Sequence, residues 1–117
     1  MQLLTEELKA RLLANGRANA QRTDDNETDH IPVVKFFNPI GAATWLISEM
    51  IPDEPDILFG LCDLGFGEAE MGYVRLSELE GLRLPGGLTI ERDLYFKGKK
   101  PLTEYWEEAR KAGRIQA

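Results

Sequence analysis

The sequence predicts an α+β domain: a mainly antiparallel sheet of about five strands packed by an N-terminal and a C-terminal helix. Apolar residues recur at helical spacing near both ends of the chain, whereas short segments with a two-residue alternation fill the middle. The links between these segments span about two to eight residues, which is typical of antiparallel hairpin neighbours. A chain of 117 residues is long enough for one such domain, residues 1–117.

The predicted N-terminal helix occupies residues 1–20. Thr5 is a suitable N-cap, because its hydroxyl can accept a hydrogen bond from the first turn, and two glutamates follow where the helix dipole favours acids. An apolar stripe at helical spacing is formed by Leu4, Leu8 and Leu12.

A polar linker is predicted over residues 21–30, QRTDDNETDH, which have no periodicity. Its acids suggest a calcium loop, since such loops supply oxygen ligands at alternate positions. Counted from Asp24, however, the sixth residue is Asp29 where glycine is needed, and the twelfth is Lys35 where glutamate is needed. No metal site and no cofactor are predicted.

The predicted sheet occupies residues 31–97 and contains five β-rich segments separated by turn residues. They read IPVVKFF, AATWLISEMI, DILFGLCD, EAEMGYVRL and LTIERDLYF. The third segment has apolar residues on both faces, which predicts a central strand. The last alternates apolar with polar residues, and Arg92 interrupts its apolar set. A C-terminal helix is predicted over residues 101–113, where apolar residues keep helical spacing until Gly113.

Charge is unevenly distributed along the chain. The net charge is −6, and residues 49–80 contain nine acids against one basic residue, Arg75. This balance argues against direct binding to nucleic acid and favours another protein as partner, in particular a basic or nucleic-acid-binding one. Apolar stretches are shorter than the roughly 20 residues that cross a bilayer, so no membrane association is predicted. One cysteine and an acidic N-terminal segment predict a cytoplasmic protein without internal disulfides.

Cys62 and Asp63 are adjacent, which raises the question of an activated thiol. Successive side chains of a strand point to opposite faces, so Asp63 is not expected to orient or activate the sulfur of Cys62. A cysteine nucleophile also needs a base or a positive charge nearby, and the one histidine, His30, ends the polar linker. The pattern therefore predicts a buried, unreactive Cys62.

Charged residues near strand ends are the remaining candidates for a functional site. Arg92 interrupts an apolar face, so it is expected in a structural ion pair or at a site for an anion or ligand. Glu49 continues the alternation of Trp45 and Ile47 and is expected to point inwards. The candidate binding residues are Glu49, Asp53, Asp63, Glu68, Glu70, Arg92 and Asp93. None of them is assigned a catalytic role.

Four blocks of sequence follow one another in a characteristic order: FNPIGAATWLISEM, ILFGLCDLGFGEAEMGYVRLSEL, GLTIERDLYFKGKKPLTEY and EEARKAGRI. Over about residues 36–115 the chain resembles the bacterial domain of unknown function 2958 family. The resemblance implies a small, single-domain protein of plasmids and other mobile elements, and it implies no catalytic residue. The family is expected to carry a histidine in the block that reads RDLYF here, where this chain has Tyr95.

Three functions from different classes fit these patterns. The first is a non-enzymatic protein-interaction module of bacterial mobile-element type, in particular an anti-restriction or anti-CRISPR inhibitor that acts through an acidic surface. The second is a small enzyme that uses carboxylates and Arg92 in a pocket at the strand ends. The third is a nucleic-acid-binding accessory protein that uses the lysine turn 97–100 and the basic end of the last helix. Because no complete catalytic motif is present, the interaction module is favoured.

Overall fold

A computed structural model of the protein describes residues 2–22 and 27–117. Within these residues, one antiparallel sheet has the spatial order β4-β3-β2-β1-β5. Its strands are Val34–Phe37 (β1), Thr44–Ile51 (β2), Glu54–Asp63 (β3), Glu70–Arg75 (β4) and Glu91–Arg92 (β5). The helices are Glu6–Ala20 (α1), Leu76–Gly81 (α2) and Leu102–Ala112 (α3). The predicted α+β fold, with a five-stranded antiparallel sheet and terminal helices, is confirmed.

Helix α1 begins at the N-cap that the sequence indicates. The Thr5 side chain accepts a hydrogen bond from the backbone N–H of Leu8 at 3.2 Å. The helix packs directly onto β2 at Gly16, where a Cβ atom would overlap the backbone carbonyl oxygen of Met50. This glycine therefore lies inside the helix and permits its close approach to the sheet.

The two faces of the sheet bury different clusters, because side chains alternate along each strand. The face covered by α1, α2 and the N-terminal segment buries Leu3, Leu4, Leu12, Val33, Val34, Phe36, Trp45, Ile47, Met50, Leu58, Leu76, Leu79 and Ile90. The face covered by α3 buries Leu46, Leu61, Ala69, Leu102, Tyr105 and Ala109. Strand β3 contributes to both clusters, in agreement with the apolar residues on both of its faces.

Strand β2 contains one residue more than its partner, between Ile47 and Glu49. Ile47 lies opposite Gly60 and Glu49 lies opposite Phe59, so Ser48 is the extra residue of a β-bulge. The bulge shifts the alternation by one position. Glu49 therefore shares the face of Phe59 and not that of Ile47, although it is buried, as expected of a residue that points inwards.

The segment LTIERDLYF forms a much shorter strand than its alternation predicts. Only the two residues of β5 pair with β1, with Arg92 opposite Phe36. The chain turns immediately afterwards, because the side chain of Asp93 accepts a hydrogen bond from the backbone N–H of Tyr95 at 2.9 Å. This local hydrogen bond ends a strand that the apolar pattern alone would continue.

The last part of the predicted linker is tied to both terminal helices. Asn19 on α1 donates a hydrogen bond to the backbone carbonyl of Thr28 at 3.1 Å and accepts one from its N–H at 2.8 Å. The carbonyl of His30 accepts a hydrogen bond from the N–H of Leu102, the first residue of α3, at 3.1 Å. The calcium-loop question concerns Asp24, which lies outside the described residues.

Candidate functional site

Cys62 and Asp63 lie on opposite faces of β3. Cys62 is half-buried against the cluster under α1 and α2, where the sequence predicted full burial, and this burial raises the pKa of its thiol from 9.0 to about 11. Asp63 lies on the α3 face, where its two carboxylate oxygens accept hydrogen bonds from the backbone N–H groups of Gly65 at 2.9 Å and Ile115 at 3.0 Å. The carboxylate therefore fastens the β3–β4 turn and the segment after α3, while burial disfavours the thiolate that a nucleophile requires.

Glu49 is buried beside the end of α1, with 8% of its surface exposed. Asn19 donates a hydrogen bond from Nδ2 to Oε2 of Glu49 at 2.9 Å. Burial raises the pKa of this carboxyl, the hydrogen bond from Asn19 opposes the rise, and the negative charge of Glu27 adds to it. The adjoining cavity, lined in part by Phe59 and Tyr73, has a volume of about 150 Å³. It is smaller than the roughly 300–1,000 Å³ of small-molecule sites.

Arg92 connects β5 to the N-terminal segment. Its Nη1 donates hydrogen bonds to the backbone carbonyl of Leu3 at 2.7 Å and to that of Gln2 at 3.3 Å. The neighbouring Asp93 forms an ion pair with Lys35 on β1, with Oδ2 and Nζ 3.7 Å apart. These contacts give Arg92 a structural role in holding the first residues over the sheet.

The residues predicted to form an enzyme site at the strand ends are held at three separate positions. Glu49 borders the small cavity beside α1, Asp63 a cleft of about 590 Å³ next to the β3–β4 turn, and Arg92 a cleft of about 400 Å³ along β5. Glu49 lies opposite Phe59, four residues from Asp63 along β3, which places the two strand positions about 13 Å apart. This separation is larger than the roughly 5–9.5 Å between the paired catalytic carboxyls of glycoside hydrolysis.

The acidic segment of the sequence is divided between two ends of the sheet. Asp53 lies in the β2–β3 turn at one end, whereas Glu68 and Glu70 lie at the other end, where β4 begins. At the first end, hydrogen bonds from the hydroxyl and the backbone N–H of Ser77, at 2.6 and 2.9 Å, lower the pKa of Asp56. The nine acids therefore do not form one continuous surface.

Exposed apolar side chains lie in the β3–β4 turn at the second end and further along β4, where Tyr73 lies opposite Phe59. The exposed fractions are 84% for Phe66, 67% for Tyr73 and 57% for Leu64. The turn that carries the first and the last of them has a fixed shape, since Gly65 adopts a φ of +92° and a Cβ atom there would lie 2.9 Å from the Cβ of Ala42. The β3–β4 turn therefore rests against the β1–β2 turn.

We call the β3–β4 turn and the outer edge of β4 the β4 surface, with the exposed residues Leu64, Phe66, Glu68, Glu70 and Tyr73. Along this edge Glu70 points to the face of Cys62, and Tyr73 points to the face of Phe59. Sequence reasoning selected its two acids and missed its apolar residues. A signal was present in the motif GFG, because a large apolar side chain between two turn glycines has little chain nearby to pack on.

The basic groups predicted to form a nucleic-acid surface lie at opposite ends of α3. The lysine turn precedes the helix, whereas Arg110, Lys111 and Arg114 lie in its last turn or beyond. An 11-residue helix is about 16 Å long, so the two groups do not merge. Lys100 is also engaged in an ion pair with Glu108 at 2.6 Å, which raises its pKa.

The described part of the chain offers no place where three His, Cys, Asp or Glu side chains come close enough to hold a metal ion. None of the helices in that part combines the length and the apolar character needed to cross a bilayer.

Comparison with known proteins gives one match. The model of a family described as "Protein of unknown function (DUF2958)" matches residues 3–116, which adds α1 to the blocks recognised in the sequence. No curated protein and no solved structure matches the chain. Because the match covers nearly the whole chain, the protein belongs to the DUF2958 family.

Proposed function

We propose that this protein is a non-enzymatic interaction module that binds a basic segment of a partner protein along the β4 surface. The observation that carries the proposal is the outer edge of β4, the terminal strand of the sheet. Among the described residues, no backbone hydrogen bond from outside the sheet reaches residues 70–75. An exposed edge of this kind presents N–H and C=O groups to which an extended segment of another chain can add.

The side chains of the β4 surface support a basic partner. Tyr73 packs against Phe59 with ring centroids 5.1 Å apart, so it is an ordered aromatic contact although most of its surface is exposed. Glu68 and Glu70 form no ion pair with another residue of the described ranges. A strand edge that exposes both carboxylates without a counter-charge and aromatic rings favours a partner that combines Lys or Arg with apolar side chains.

The proposed partner is a basic, nucleic-acid-binding protein of the host cell. The resemblance to proteins of bacterial mobile elements suggests a restriction or CRISPR nuclease, and the proposed role is counter-defence by inhibition. Carboxylates that occupy a nucleic-acid groove compete with phosphates and accelerate association with a basic surface. Because the acids are divided between two ends of the sheet, we assign this contact to Glu68 and Glu70 and not to the whole acidic segment.

The test uses two exposed tyrosines near opposite edges of the sheet. A photo-crosslinking phenylalanine analogue replaces Tyr73 in one variant and Tyr95, which is 91% exposed beyond β5, in the matched control. Irradiation in host cells is expected to capture a basic, nucleic-acid-binding protein from position 73 and not from position 95. Equal capture at the two positions, or products at position 73 that bind no nucleic acid, contradict the proposal.

The captured partner, once purified, allows measurement of affinity and of nuclease inhibition. The double variant Glu68→Gln/Glu70→Gln is expected to bind about tenfold more weakly at low salt, because charges at an interface rim act by attraction that salt screens. The control Glu7→Gln/Glu104→Gln removes the same charge from exposed positions of α1 and α3 and is expected to bind like the unmodified protein. Binding of unchanged strength at high salt contradicts an electrostatic contact.

A further inference from the structure

A second concave surface lies away from β4. A cleft of about 920 Å³ opens between α1, the segment that precedes β1 and the segment that precedes α3. The two segments are held together at the backbone, because a Cβ atom at Gly98 would overlap the carbonyl oxygen of Pro32, and the N–H of Leu102 donates to the carbonyl of His30 at 3.1 Å. Its volume falls within the roughly 300–1,000 Å³ of small-molecule sites.

The lining of this cleft carries two cationic side chains that form no ion pair with the residues that the structure describes. Arg11 on α1 and Lys97 before α3 form no ion pair and no side-chain hydrogen bond with other residues that the structure describes. The acid in the lining, Asp29, accepts a hydrogen bond from the backbone N–H of Thr103 at the start of α3, at 3.2 Å. The lining therefore holds two cations against one acid in a chain of net charge −6, and this local excess of positive charge favours the binding of an anion.

His30 adds a polar atom that lacks a partner. Its Nε2 atom is buried and forms no hydrogen bond with the residues that the structure describes. A buried polar atom without a partner is costly, and the exceptions in folded proteins call for a specific explanation such as a bound species or a functional role. The wall next to it is apolar and is formed by Ile31, Val33 and Phe96.

We propose that this cleft binds a small organic phosphate, with the phosphate group between Arg11 and Lys97 and the organic part against the apolar wall next to His30. A phosphate monoester fits two separate cations better than a carboxylate does, since it carries more charge and a third acceptor oxygen. The cleft shares no residue with the β4 surface, so the two proposals can fail independently.

The single histidine of the chain makes the imidazole of His30 a specific NMR reporter of the cleft. The full-length protein is titrated with adenosine monophosphate as the probe, and with inorganic phosphate and adenosine in parallel. Adenosine monophosphate is expected to shift the ring signals saturably and to bind at least about tenfold more tightly than either fragment. The absence of any shift with adenosine monophosphate would overturn the proposal, and so would an affinity for adenosine equal to that for adenosine monophosphate. An equal affinity for inorganic phosphate would overturn the organic part of the ligand.

Charge variants test the position of the phosphate. Arg11→Gln/Lys97→Gln is expected to weaken binding of adenosine monophosphate by at least about tenfold. The control Lys111→Gln/Arg114→Gln removes the same charge near the far end of α3 and is expected to leave binding unchanged. Equal weakening in both pairs indicates an effect of net charge alone and overturns the site. Backbone amide spectra verify folding, and Lys97→Gln alone, in an exposed turn, gives the answer if the double variant does not fold.

Discussion

The two edges of the sheet are built in different ways. Strand β5 is two residues long, and its surroundings are charged, with Arg92 bound to N-terminal carbonyls and Asp93 paired to Lys35. Strand β4 is six residues long and carries the exposed ring of Tyr73. Short, charged edges discourage the addition of further strands, whereas a longer edge with apolar side chains does not. The contrast indicates that exposure of an edge is not a general property of this sheet, which makes β4 the better candidate for a partner.

The largest expected effect is a difference in stability between two glycine substitutions, one inside the sheet and one at its open edge. Gly60 on β3 and Gly72 on β4 lie directly opposite each other. A Cβ atom at position 60 would overlap the carbonyl oxygen of Leu46, whereas one at position 72 meets nothing within 4 Å. Gly60→Ala is therefore expected to lower the free energy of unfolding by about 3 kcal/mol or more, and Gly72→Ala to change it by less than about 1 kcal/mol. Chemical denaturation measures both, and equal losses would show that the edge is not open.

The reactivity of Cys62 reports how firmly β4 is held on β3, because Cys62 lies opposite Glu70. A pKa of about 11 instead of 9.0 reduces the thiolate fraction at neutral pH about a hundredfold. Labelling by a thiol reagent is therefore expected to be about a hundredfold slower in the native protein than in denaturant. A native rate within about tenfold of the unfolded rate would mean that β4 detaches readily from its neighbour.

Replacement of Arg92 tests the opposite edge. Arg92→Ala removes the hydrogen bonds to Gln2 and Leu3 and is expected to lower the free energy of unfolding by about 2 kcal/mol. The control Arg83→Ala removes hydrogen bonds to carbonyl groups that are close in sequence and exposed, and a loss below about 0.5 kcal/mol is expected. Similar losses in the two variants would argue against a structural role and return Arg92 to the candidates for ligand binding.

The smallest expected effect concerns Glu49, which lies in a row with Phe59 and Tyr73 and is the member farthest from the open edge. Burial raises its pKa above the ordinary value of 4.5, so its contribution to stability is complete below that value and is lost as the pH rises through the higher pKa of the folded state. Glu49→Gln keeps an acceptor for Asn19 without the charge. We expect the Glu49→Gln variant to lose less stability than the unmodified protein as the pH rises. At pH 7 its Tm is expected to equal or exceed that of the unmodified protein. An unchanged pH profile of Tm would contradict the assignment.

Periodicity predicted the fold class because it reflects burial, and burial extends over whole strands and helices. It could not predict the bulge at Ser48, because an extra residue in one strand leaves no trace in the composition of either strand. It also could not predict the early end of β5, where the side chain of Asp93 bonds to the backbone and competes with the ladder. Both departures arise from local geometry that the apolar pattern does not encode.

The candidate site was predicted in part, for a related reason. The sequence identified Glu68 and Glu70 as acids but could not distinguish them from Asp63, whose partner Ile115 lies 52 residues away. Whether a carboxylate is engaged depends on the tertiary fold, not on its neighbours along the chain. The cleft at His30 was not predicted either, because its three walls come from segments that are distant in sequence.

The bulge in β2 also constrains the length of this strand. Before Ser48 the odd-numbered residues of β2 point to the cluster under α1, and beyond Ser48 the even-numbered residues do. Met50 therefore belongs to that cluster, and Glu49 accepts its hydrogen bond from Asn19. One residue more or fewer in this strand would exchange inside and outside for every position that follows. Relatives that share this architecture can therefore vary the residue types of β2 more freely than they can vary its number of residues.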